Sequence, residues 1–303
     1  MKKKVFRSGY VSVVGLPNVG KSTLINRILG SKIMAVSDKP QTTRNNILGI
    51  FTTKDSQILF TDTPGYHYSD KDINKFFVKE AVAACKSADV VAYIFDADAI
   101  REKKGYGQND NFVAAIREKS KDVKIIPILS KIDLIKTAEI KKIADDIQER
   151  YGFEIKVLPI SVTRSLGLTE LIAKVTELLP EGPVYYPEED LTDRDLRFLC
   201  SEIIREKIFR YTHEELPYST AVIVVKYEET PQIHRIYADI YVEKDSQKGI
   251  IVGAGAQMIK KIGVEARKDI EALTETKVYL ELFVKVKKNW TKDEKMLKEL
   301  GYK

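Results

Sequence analysis

The chain has 303 residues, of which 44% are hydrophobic and 31% are charged, a composition that excludes a disordered or fibrous protein. Its apolar runs are shorter than the roughly 18 residues of a membrane span, and two cysteines cannot form a disulfide framework, so we expect a cytoplasmic protein. The net charge of +6 is concentrated in residues 2–7 and 277–303, which suits contact with RNA or peripheral contact with an acidic membrane.

Short apolar runs of strand length alternate with amphipathic stretches over the first 180 residues. The predicted strands cover residues 11–14, 46–51, 57–60, 90–95, 124–129 and 155–160. The predicted helices cover residues 21–29, 73–86, 111–119, 138–151 and 168–179. This order predicts an α/β domain over residues 1–180, with a mostly parallel sheet, one antiparallel strand and helices on both faces.

A cluster of proline, glycine and acidic residues then interrupts the pattern, and it predicts a linker at residues 181–195. Residues 196–303 form a second kind of unit with a C-terminal tail. The predicted elements are a helix at 196–211, strands at 221–227 and 236–242, a helix from 257 to about 273 and a strand at 278–286. This order of helix, strand, strand, helix and strand indicates a small α+β domain.

The first strand leads into a phosphate-binding pattern, G-x-x-x-x-G-K-S, that opens the first helix. Its candidate residues are Gly15, Leu16, Pro17, Asn18, Val19, Gly20, Lys21, Ser22 and Thr23. The glycines let backbone N–H groups surround phosphates at the positive end of the helix. Lys21 is expected to neutralise the β- and γ-phosphates, and Ser22 to offer its hydroxyl to Mg²⁺.

A second motif, Asp62-Thr63-Pro64-Gly65, follows the third predicted strand about 40 residues later. The Asp62 carboxylate can hold a water bound to the same Mg²⁺. Gly65 can donate its N–H to the γ-phosphate, since it has no side chain to block a close approach.

Two further motifs point to guanine. Asp133 of Ser130-Lys131-Ile132-Asp133 can accept hydrogen bonds from guanine N1 and the 2-amino group, and adenine has no such donor pair. The stem of Lys131 can lie over the purine face. Backbone N–H groups of Ser161, Val162 and Thr163 can contact guanine O6. GTP and GDP are therefore the expected ligands.

These motifs resemble the Era family of GTPases, and the resemblance covers essentially the whole chain. The residues that carry it are 40–44, 62–65, 191–207 and 215–219. The second half resembles a type II KH domain, an RNA-binding fold. The family implies a GTPase that binds the 3′ end of the small-subunit rRNA and acts in assembly of the small ribosomal subunit. We expect a monomer.

The resemblance also implies roles in hydrolysis. Thr43, with Thr42 as the alternative, is expected to give Mg²⁺ a second hydroxyl in the GTP state only. Tyr66 stands where related switches carry a water-orienting glutamine, so slow turnover is expected. In related GTPases an asparagine at the position of Asn18 implies a bound K⁺ that raises the rate, beside the catalytic groups Lys21 and Gly65.

The RNA-binding loop of the KH domain is expected around Gly253 to Ala256. Glycines permit close approach of the sugar-phosphate chain, lysines add charge and apolar side chains form a groove for bases. The candidate RNA-binding residues are Ile250, Ile251, Gly253, Ala254, Gly255, Ala256, Gln257, Met258, Lys260 and Lys261.

The sequence departs from the family pattern at four positions. Ser130 replaces an asparagine, for which we expect somewhat weaker nucleotide binding, and Val162 replaces an alanine. In the KH loop, Ala254 replaces a lysine and Ala256 replaces the last glycine. Two alternative functions stay open at this point: an RNA-binding assembly scaffold with vestigial hydrolysis, and a membrane-associated GTPase that uses the basic ends.

Overall fold

The computed structural model describes residues 5–36, 47–62, 82–104, 106–119, 123–212 and 216–290. These residues form two compact units. The first holds residues 5–30 and 47–193, and the second holds residues 31–36 and 194–290. The sequence predicts one domain over residues 1–180, whereas the short segment 31–36 packs in the second unit. Among the described helices, none is both long enough and apolar enough to cross a membrane.

The first unit is built on a six-stranded sheet. Its strands are β1 (Arg7–Gly15), β2 (Leu48–Thr52), β3 (Ser56–Asp62), β4 (Val90–Asp96), β5 (Lys124–Ser130) and β6 (Leu158–Pro159). They lie in the order β2-β3-β1-β4-β5-β6, and β2 alone runs antiparallel to its neighbour among these strands. This confirms the predicted mostly parallel sheet. The carboxyl ends of the parallel strands therefore meet at one edge, where open α/β sheets bind ligands.

The described residues of the first unit also form helices. They are α1 (Lys21–Leu29), α2 (Ala97–Arg101), α3 (Tyr106–Lys119), α4 (Thr137–Tyr151) and α5 (Leu168–Leu178), and residues 82–86 are also helical. The helix α2 was not predicted from the sequence, because its five residues are too few to show an amphipathic period. The sequence also predicted a longer β6, where Pro159 has no N–H to donate to a neighbouring strand.

An aromatic cluster packs around the end of β4. The ring centroid of Phe95 lies 4.7 Å from that of Tyr93 and 5.4 Å from that of Tyr151, at the end of α4. The buried hydroxyl of Tyr93 donates to the side-chain oxygen of Asn109 at 2.7 Å, so the cluster buries no unpaired phenol there. Packing of this kind holds the carboxyl end of β4, and Asp96 with it, in a fixed position.

The predicted linker is hydrogen-bonded to the first unit as far as residue 193. The Gln57 side-chain oxygen accepts from the N–H groups of Tyr185 (2.7 Å) and Tyr186 (3.0 Å). Further along, the Ile50 N–H donates to the Leu191 carbonyl oxygen at 2.8 Å. The bond from Ile50 pairs a backbone group at the edge of β2, which would otherwise be unpaired.

The second unit is a three-stranded sheet with helices. Its elements are α6 (Leu196–Tyr211), β7 (Ala221–Glu229), β8 (Ile233–Val242), α7 (Asp245–Val252), α8 (Gln257–Thr274) and β9 (Lys277–Val286). The strand order is β7-β8-β9, with β7 antiparallel and β9 parallel to β8. Alternate β8 residues, including Ile236, Ala238 and Ile240, are fully buried, as the period of two predicts.

The helix α7 is the element of this unit that the sequence analysis did not predict. The first turn of α7 is polar and Gly249 lies in the middle of the helix, so α7 lacks the apolar spacing of an amphipathic helix. The Gln247 side-chain oxygen accepts from the Lys244 N–H at 3.0 Å and so supports the first turn. The resulting order is helix, strand, strand, helix, helix and strand.

Candidate nucleotide and RNA sites

The phosphate-binding pattern connects the end of β1 to the start of α1. A Cβ at Gly15 would lie 2.6 Å from the carbonyl oxygen of Ile94, so a larger residue would collide with β4. Gly20 has a φ of 101° and Asn18 a φ of 62°, both in the left-handed region. Turns of this kind aim successive backbone N–H groups at one point, which is how a loop binds phosphate.

The ammonium group of Lys21 folds back over this loop. It donates to the carbonyl oxygens of Gly15 at 3.2 Å and Leu16 at 3.1 Å. Burial lowers the pKa of Lys21, and the nearby Asp62 carboxylate counteracts part of that lowering. A phosphate anion beside the loop would compensate the buried positive charge, so Lys21 is placed for the role that the sequence predicts.

Ser22 and Asp62 come together as a pair of oxygen ligands. Ser22 lies in the first turn of α1 and Asp62 at the end of β3, and the Ser22 hydroxyl donates to Asp62 Oδ2 at 2.6 Å. Asp62 is 2% exposed. Hydroxyl and carboxylate oxygens are the ligands that Mg²⁺ prefers, so these residues fit a magnesium ion next to the phosphate loop.

Ser130 and Lys131, at the end of β5, reach the phosphate loop. The Ser130 hydroxyl lies 3.0 Å from the carbonyl oxygen of Val19, and the Lys131 ammonium donates to the carbonyl oxygen of Asn18 at 2.8 Å. The sequence analysis expected the change from asparagine to Ser130 to lose a side-chain amide. The hydroxyl nevertheless makes a buried contact to the loop.

Two hydroxyl groups hold the carboxylate of Asp133. Ser161 Oγ donates to Oδ1 at 2.6 Å and Thr163 Oγ1 donates to Oδ2 at 3.1 Å. The hydrogen bond from Ser161 is the main reason that the pKa of Asp133 lies below its ordinary value, although partial burial acts in the opposite direction. Asp133 is thus an oriented anion, suited to accept from the N1–H and 2-amino groups of guanine.

The segment that carries Ser161 is a closed loop. The N–H of Ser161 donates to the Leu166 carbonyl oxygen at 3.1 Å, and the N–H of Leu166 donates back at 2.9 Å. Arg27 of α1 donates to the Ser165 hydroxyl at 2.8 Å. Val162 lies inside this loop, and its predicted backbone contact with guanine O6 stays a prediction.

The remaining candidate residues of the nucleotide site divide into two groups. Leu16 and Pro17 lie in the phosphate loop, Thr23 lies in α1 and Ile132 begins a single 3₁₀ turn. Thr43, Thr63, Pro64, Gly65 and Tyr66 lie outside the described residues. Their roles in binding Mg²⁺ and the γ-phosphate therefore stay predictions.

The predicted RNA-binding loop joins α7 to α8. A Cβ at Gly253 (φ 71°) would lie 2.8 Å from the Cβ of Met258, whereas the space around Gly255 (φ 56°) is open. Ala254 and Gly255 are exposed, so backbone can meet a ligand here. Ala256 has a φ of 61°, a conformation that favours glycine and costs about 1–2 kcal/mol for alanine.

Ile250 and Ile251 face different directions. Ile250 is 54% exposed, but Ile251 is 0% exposed and packs in the core of the second unit. The prediction that Ile251 lines the groove is therefore wrong, because neighbouring residues of a helix point about 100° apart. Gln257 and Lys260 are exposed, and the ammonium of Lys261 lies 4.1 Å from the centroid of the Tyr211 ring.

Asp96 is a residue of the nucleotide site that the sequence did not predict. For Thr163 the predicted contact was through its backbone N–H, whereas its side chain contacts Asp133. Asp96 binds the ammonium of Lys131 with a distance of 2.6 Å between Oδ2 and Nζ. The signal for Asp96 was an acidic residue at the carboxyl end of an apolar strand, the same position that Asp62 occupies.

Family models match both units. Residues 10–131 match the model described as a 50S ribosome-binding GTPase, and residues 215–291 match the KH domain model.

Curated relatives match along the whole chain. The GTPase Era of Geobacter sp. (strain M21) is 46% identical over 303 residues, which cover 100% of both chains. The GTPase Era of Thermotoga maritima is 46% identical over 299 residues, or 98% of each chain.

Two solved structures resemble this chain over nearly its full length. One is Era in complex with MgGDPNP and nucleotides 1506–1542 of 16S ribosomal RNA, and the other is a variant of Aquifex aeolicus Era bound to GDP·AlF4⁻. Each has a TM-score of 0.85 and is 34% identical to this chain. Each match covers 98% of this chain and 99% of the solved Era chain. With this identity to relatives over its full length, the chain belongs to the Era family of GTPases.

Proposed function

We propose that this protein binds GTP and GDP with Mg²⁺ and hydrolyses GTP to GDP and phosphate. The observation that carries the proposal is the convergence of three groups at one edge of a parallel sheet. These are the partly buried ammonium of Lys21, the Ser22–Asp62 oxygen pair and the oriented carboxylate of Asp133. A triphosphate with guanine as its base satisfies all three groups.

Each group has a distinct role in this proposal. Lys21 neutralises charge on the β- and γ-phosphates, and Asp133 accepts two hydrogen bonds that adenine cannot donate. Ser22 would hold Mg²⁺ directly, and Asp62 would hold it through a water, as in related phosphate-loop enzymes. Bound Mg²⁺ would neutralise the charge that develops between the β- and γ-phosphates.

Hydrolysis in this proposal is slow and stimulated by K⁺. A tyrosine at position 66 is a poor general base, since its reference pKa is about 10. Asn18 lies in the phosphate loop with left-handed backbone, where an amide oxygen can bind a cation beside the phosphates. Thr43 and Gly65 are proposed to complete the GTP state. Asn18→Gly removes the amide without straining φ, so this variant should lose the stimulation of hydrolysis by K⁺. Equal rates of hydrolysis in K⁺ and in Na⁺ for the unaltered protein would contradict the role of K⁺.

We infer that the second unit binds the 3′ end of small-subunit rRNA and that the protein assists assembly of the small ribosomal subunit. A relative at 34% identity was solved with nucleotides 1506–1542 of 16S ribosomal RNA, and the KH domain model matches residues 215–291 here. The open backbone around Gly255 supports this proposal. The proposed division is a GTPase domain at 1–180, a linker at 181–195 and a KH domain at 196–303.

A role in ribosome assembly implies a location in the cytoplasm. Peripheral contact with the inner face of the cell membrane and a monomeric state remain proposals from the sequence. Vesicles of anionic lipid at physiological salt provide the test of membrane contact, through co-sedimentation of the protein.

Single-turnover GTP hydrolysis, with and without an RNA of the 16S 3′-end sequence, tests the proposed function. An enzymatic switch hydrolyses GTP and binds this RNA with an affinity that differs between GDP and a non-hydrolysable GTP analogue. RNA binding with no hydrolysis in either condition would favour the scaffold alternative. Hydrolysis without RNA binding would contradict the role of the second unit.

A further inference from the structure

Asp96 at the end of β4 uses both of its carboxylate oxygens. Oδ1 accepts from the N–H groups of Asp98 at 3.0 Å and Ala99 at 3.2 Å, and so caps the short helix α2. Oδ2 accepts from the Lys131 ammonium at 2.6 Å. The first contact is structural, and the second reaches into the nucleotide site.

Lys131 passes this contact on to the phosphate loop. The same ammonium donates to the carbonyl oxygen of Asn18 at 2.8 Å. Lys131 (φ 58°) and Asn18 (φ 62°) both have left-handed backbone, which is unfavourable for residues that carry a Cβ. Such conformations persist only where surrounding contacts hold them. The hydrogen bond from the Lys131 ammonium to the Asn18 carbonyl oxygen is one such contact, and it joins the two residues.

Ser130 supports the same junction from the sheet. It pairs in register with Asp96 across β4 and β5. Its hydroxyl lies 3.0 Å from the carbonyl oxygens of both Phe95 and Val19. Ser130 and Lys131 therefore contact the carbonyl oxygens of Val19 and Asn18, two neighbouring residues of the phosphate loop. Asp96 holds the ammonium that makes the second of these contacts.

We propose that Asp96 is a positioning residue of the GTP site, which acts through Lys131 to fix the guanine-binding motif relative to the phosphate loop. The inference rests on the proposed function, because it concerns the same nucleotide site. An oriented Lys131 keeps its apolar stem in place for the purine face while its ammonium holds the loop. Without Asp96, the ammonium is free to turn to solvent, and the site must be ordered again when nucleotide binds.

Asp96→Asn separates this role from helix capping. Asparagine is as good an N-cap as aspartate, so α2 keeps its cap. The amide cannot also accept from Lys131, because its second polar atom is an N–H donor that would face an ammonium. We expect about tenfold weaker GDP binding, mostly through faster release, with an unchanged melting temperature. Stopped-flow release of a fluorescent GDP analogue and thermal unfolding measure the two quantities.

A double-mutant cycle tests that Asp96 acts through Lys131. Lys131→Met keeps an apolar stem and removes the ammonium, so adding Asp96→Asn to it should weaken GDP binding no further. Additive losses, or a melting temperature lowered in step with affinity, would indicate a structural role and overturn the proposal. Asp98→Asn removes a charge from the same helix and should leave GDP release unchanged. Absence of GDP binding by the unaltered protein would instead contradict the proposed function.

Discussion

The hydroxyl of Ser161 donates a 2.6 Å hydrogen bond to the carboxylate of Asp133, although the two residues are 28 positions apart in the chain. Asp133 follows β5 and Ser161 follows β6, so the pairing of these strands brings them together. A hydrogen bond to the ionised form of a carboxyl group lowers its pKa. The carboxylate that we propose selects guanine is thereby oriented before nucleotide arrives.

Ser161→Ala should raise the pKa of Asp133 toward its ordinary value of 3.8, because it removes the largest cause of the lowering. A lowered carboxyl pKa gives stability that is present above the unfolded value and lost as pH falls through the folded value. The variant therefore loses that contribution at a higher pH. Carbon-13 NMR titration of aspartate carboxyls measures the pKa, with Asp133→Asn to assign the signal. Thr163→Val removes the longer of the two hydrogen bonds to Asp133 and should change the pKa of Asp133 less than Ser161→Ala does. A larger change in Thr163→Val than in Ser161→Ala would contradict this assignment.

Ser22→Ala should remove the dependence of GDP affinity on Mg²⁺. The hydroxyl that contacts Asp62 is the protein's direct ligand in this account, and an alanine methyl cannot bind a cation. The measurement is the GDP dissociation constant in Mg²⁺ and in EDTA. Ser22→Thr keeps a hydroxyl and should keep the dependence. Equal enhancement by Mg²⁺ in Ser22→Ala and the unaltered protein would show that Ser22 is not a ligand.

Glu206→Ala should destabilise the second unit by about 3 kcal/mol. The buried Glu206 carboxylate accepts from the ammonium groups of Lys32 at 2.6 Å and Lys207 at 3.0 Å, and from the Val36 N–H at 2.8 Å. Its loss leaves Lys207, which also pairs with Asp269, as a buried cation with one counter-charge fewer. In the unaltered protein, hydrogen bonds to these carboxylates outweigh burial and raise the pKa of Lys207 above its ordinary value.

The single tryptophan, Trp290, is buried in the second unit and reports its unfolding in urea by fluorescence. Glu228→Ala is the matched control. That glutamate pairs with Lys226 on the surface, and exposed pairs of this kind contribute little. If both variants unfold at the same urea concentration, the Glu206 network does not stabilise the unit.

Gly255→Asp should weaken binding of the 16S 3′-end RNA at least about tenfold at physiological salt, because it places a negative charge where phosphates approach. The fold should survive, since the space around Gly255 is open and aspartate tolerates its φ of 56°. Fluorescence anisotropy with labelled RNA measures the affinity. Val264→Asp adds the same charge to an exposed position on α8 and should have a smaller effect. Equal affinities for the two variants would place the RNA elsewhere.

Local patterns in the sequence predicted the elements that position the nucleotide site. The apolar run before Gly15 and the pattern up to Ser22 predicted β1, the phosphate loop and a helix with the observed bounds, Lys21–Leu29. This worked because strand, turn and helix signals there are adjacent and agree. Asp133 was predicted from its place in Ser130-Lys131-Ile132-Asp133 after an apolar strand, together with the phosphate-binding motifs, and its contact with guanine stays a prediction.

Contacts between distant segments outside the recognised motifs could not be predicted from the sequence. Asp96 meets Lys131 only because β4 and β5 are neighbours, and Lys32 meets Glu206 across 174 positions. Ile251 was misplaced for a related reason, since α7 is too polar at its start to show which face is buried. Pairing and packing decide such contacts, and periodicity shows a buried face only in longer amphipathic elements.

We propose that Asp133 selects guanine at the phosphate loop. Calorimetric titration of the protein with GDP and with ADP in Mg²⁺ buffer tests it most directly, with Asp133→Asn as the matched variant. We expect tight binding of GDP, no measurable binding of ADP, and a loss of GDP affinity of at least about a hundredfold in Asp133→Asn. Equal binding of GDP and ADP by the unaltered protein, or an unchanged GDP affinity in Asp133→Asn, would contradict this proposal.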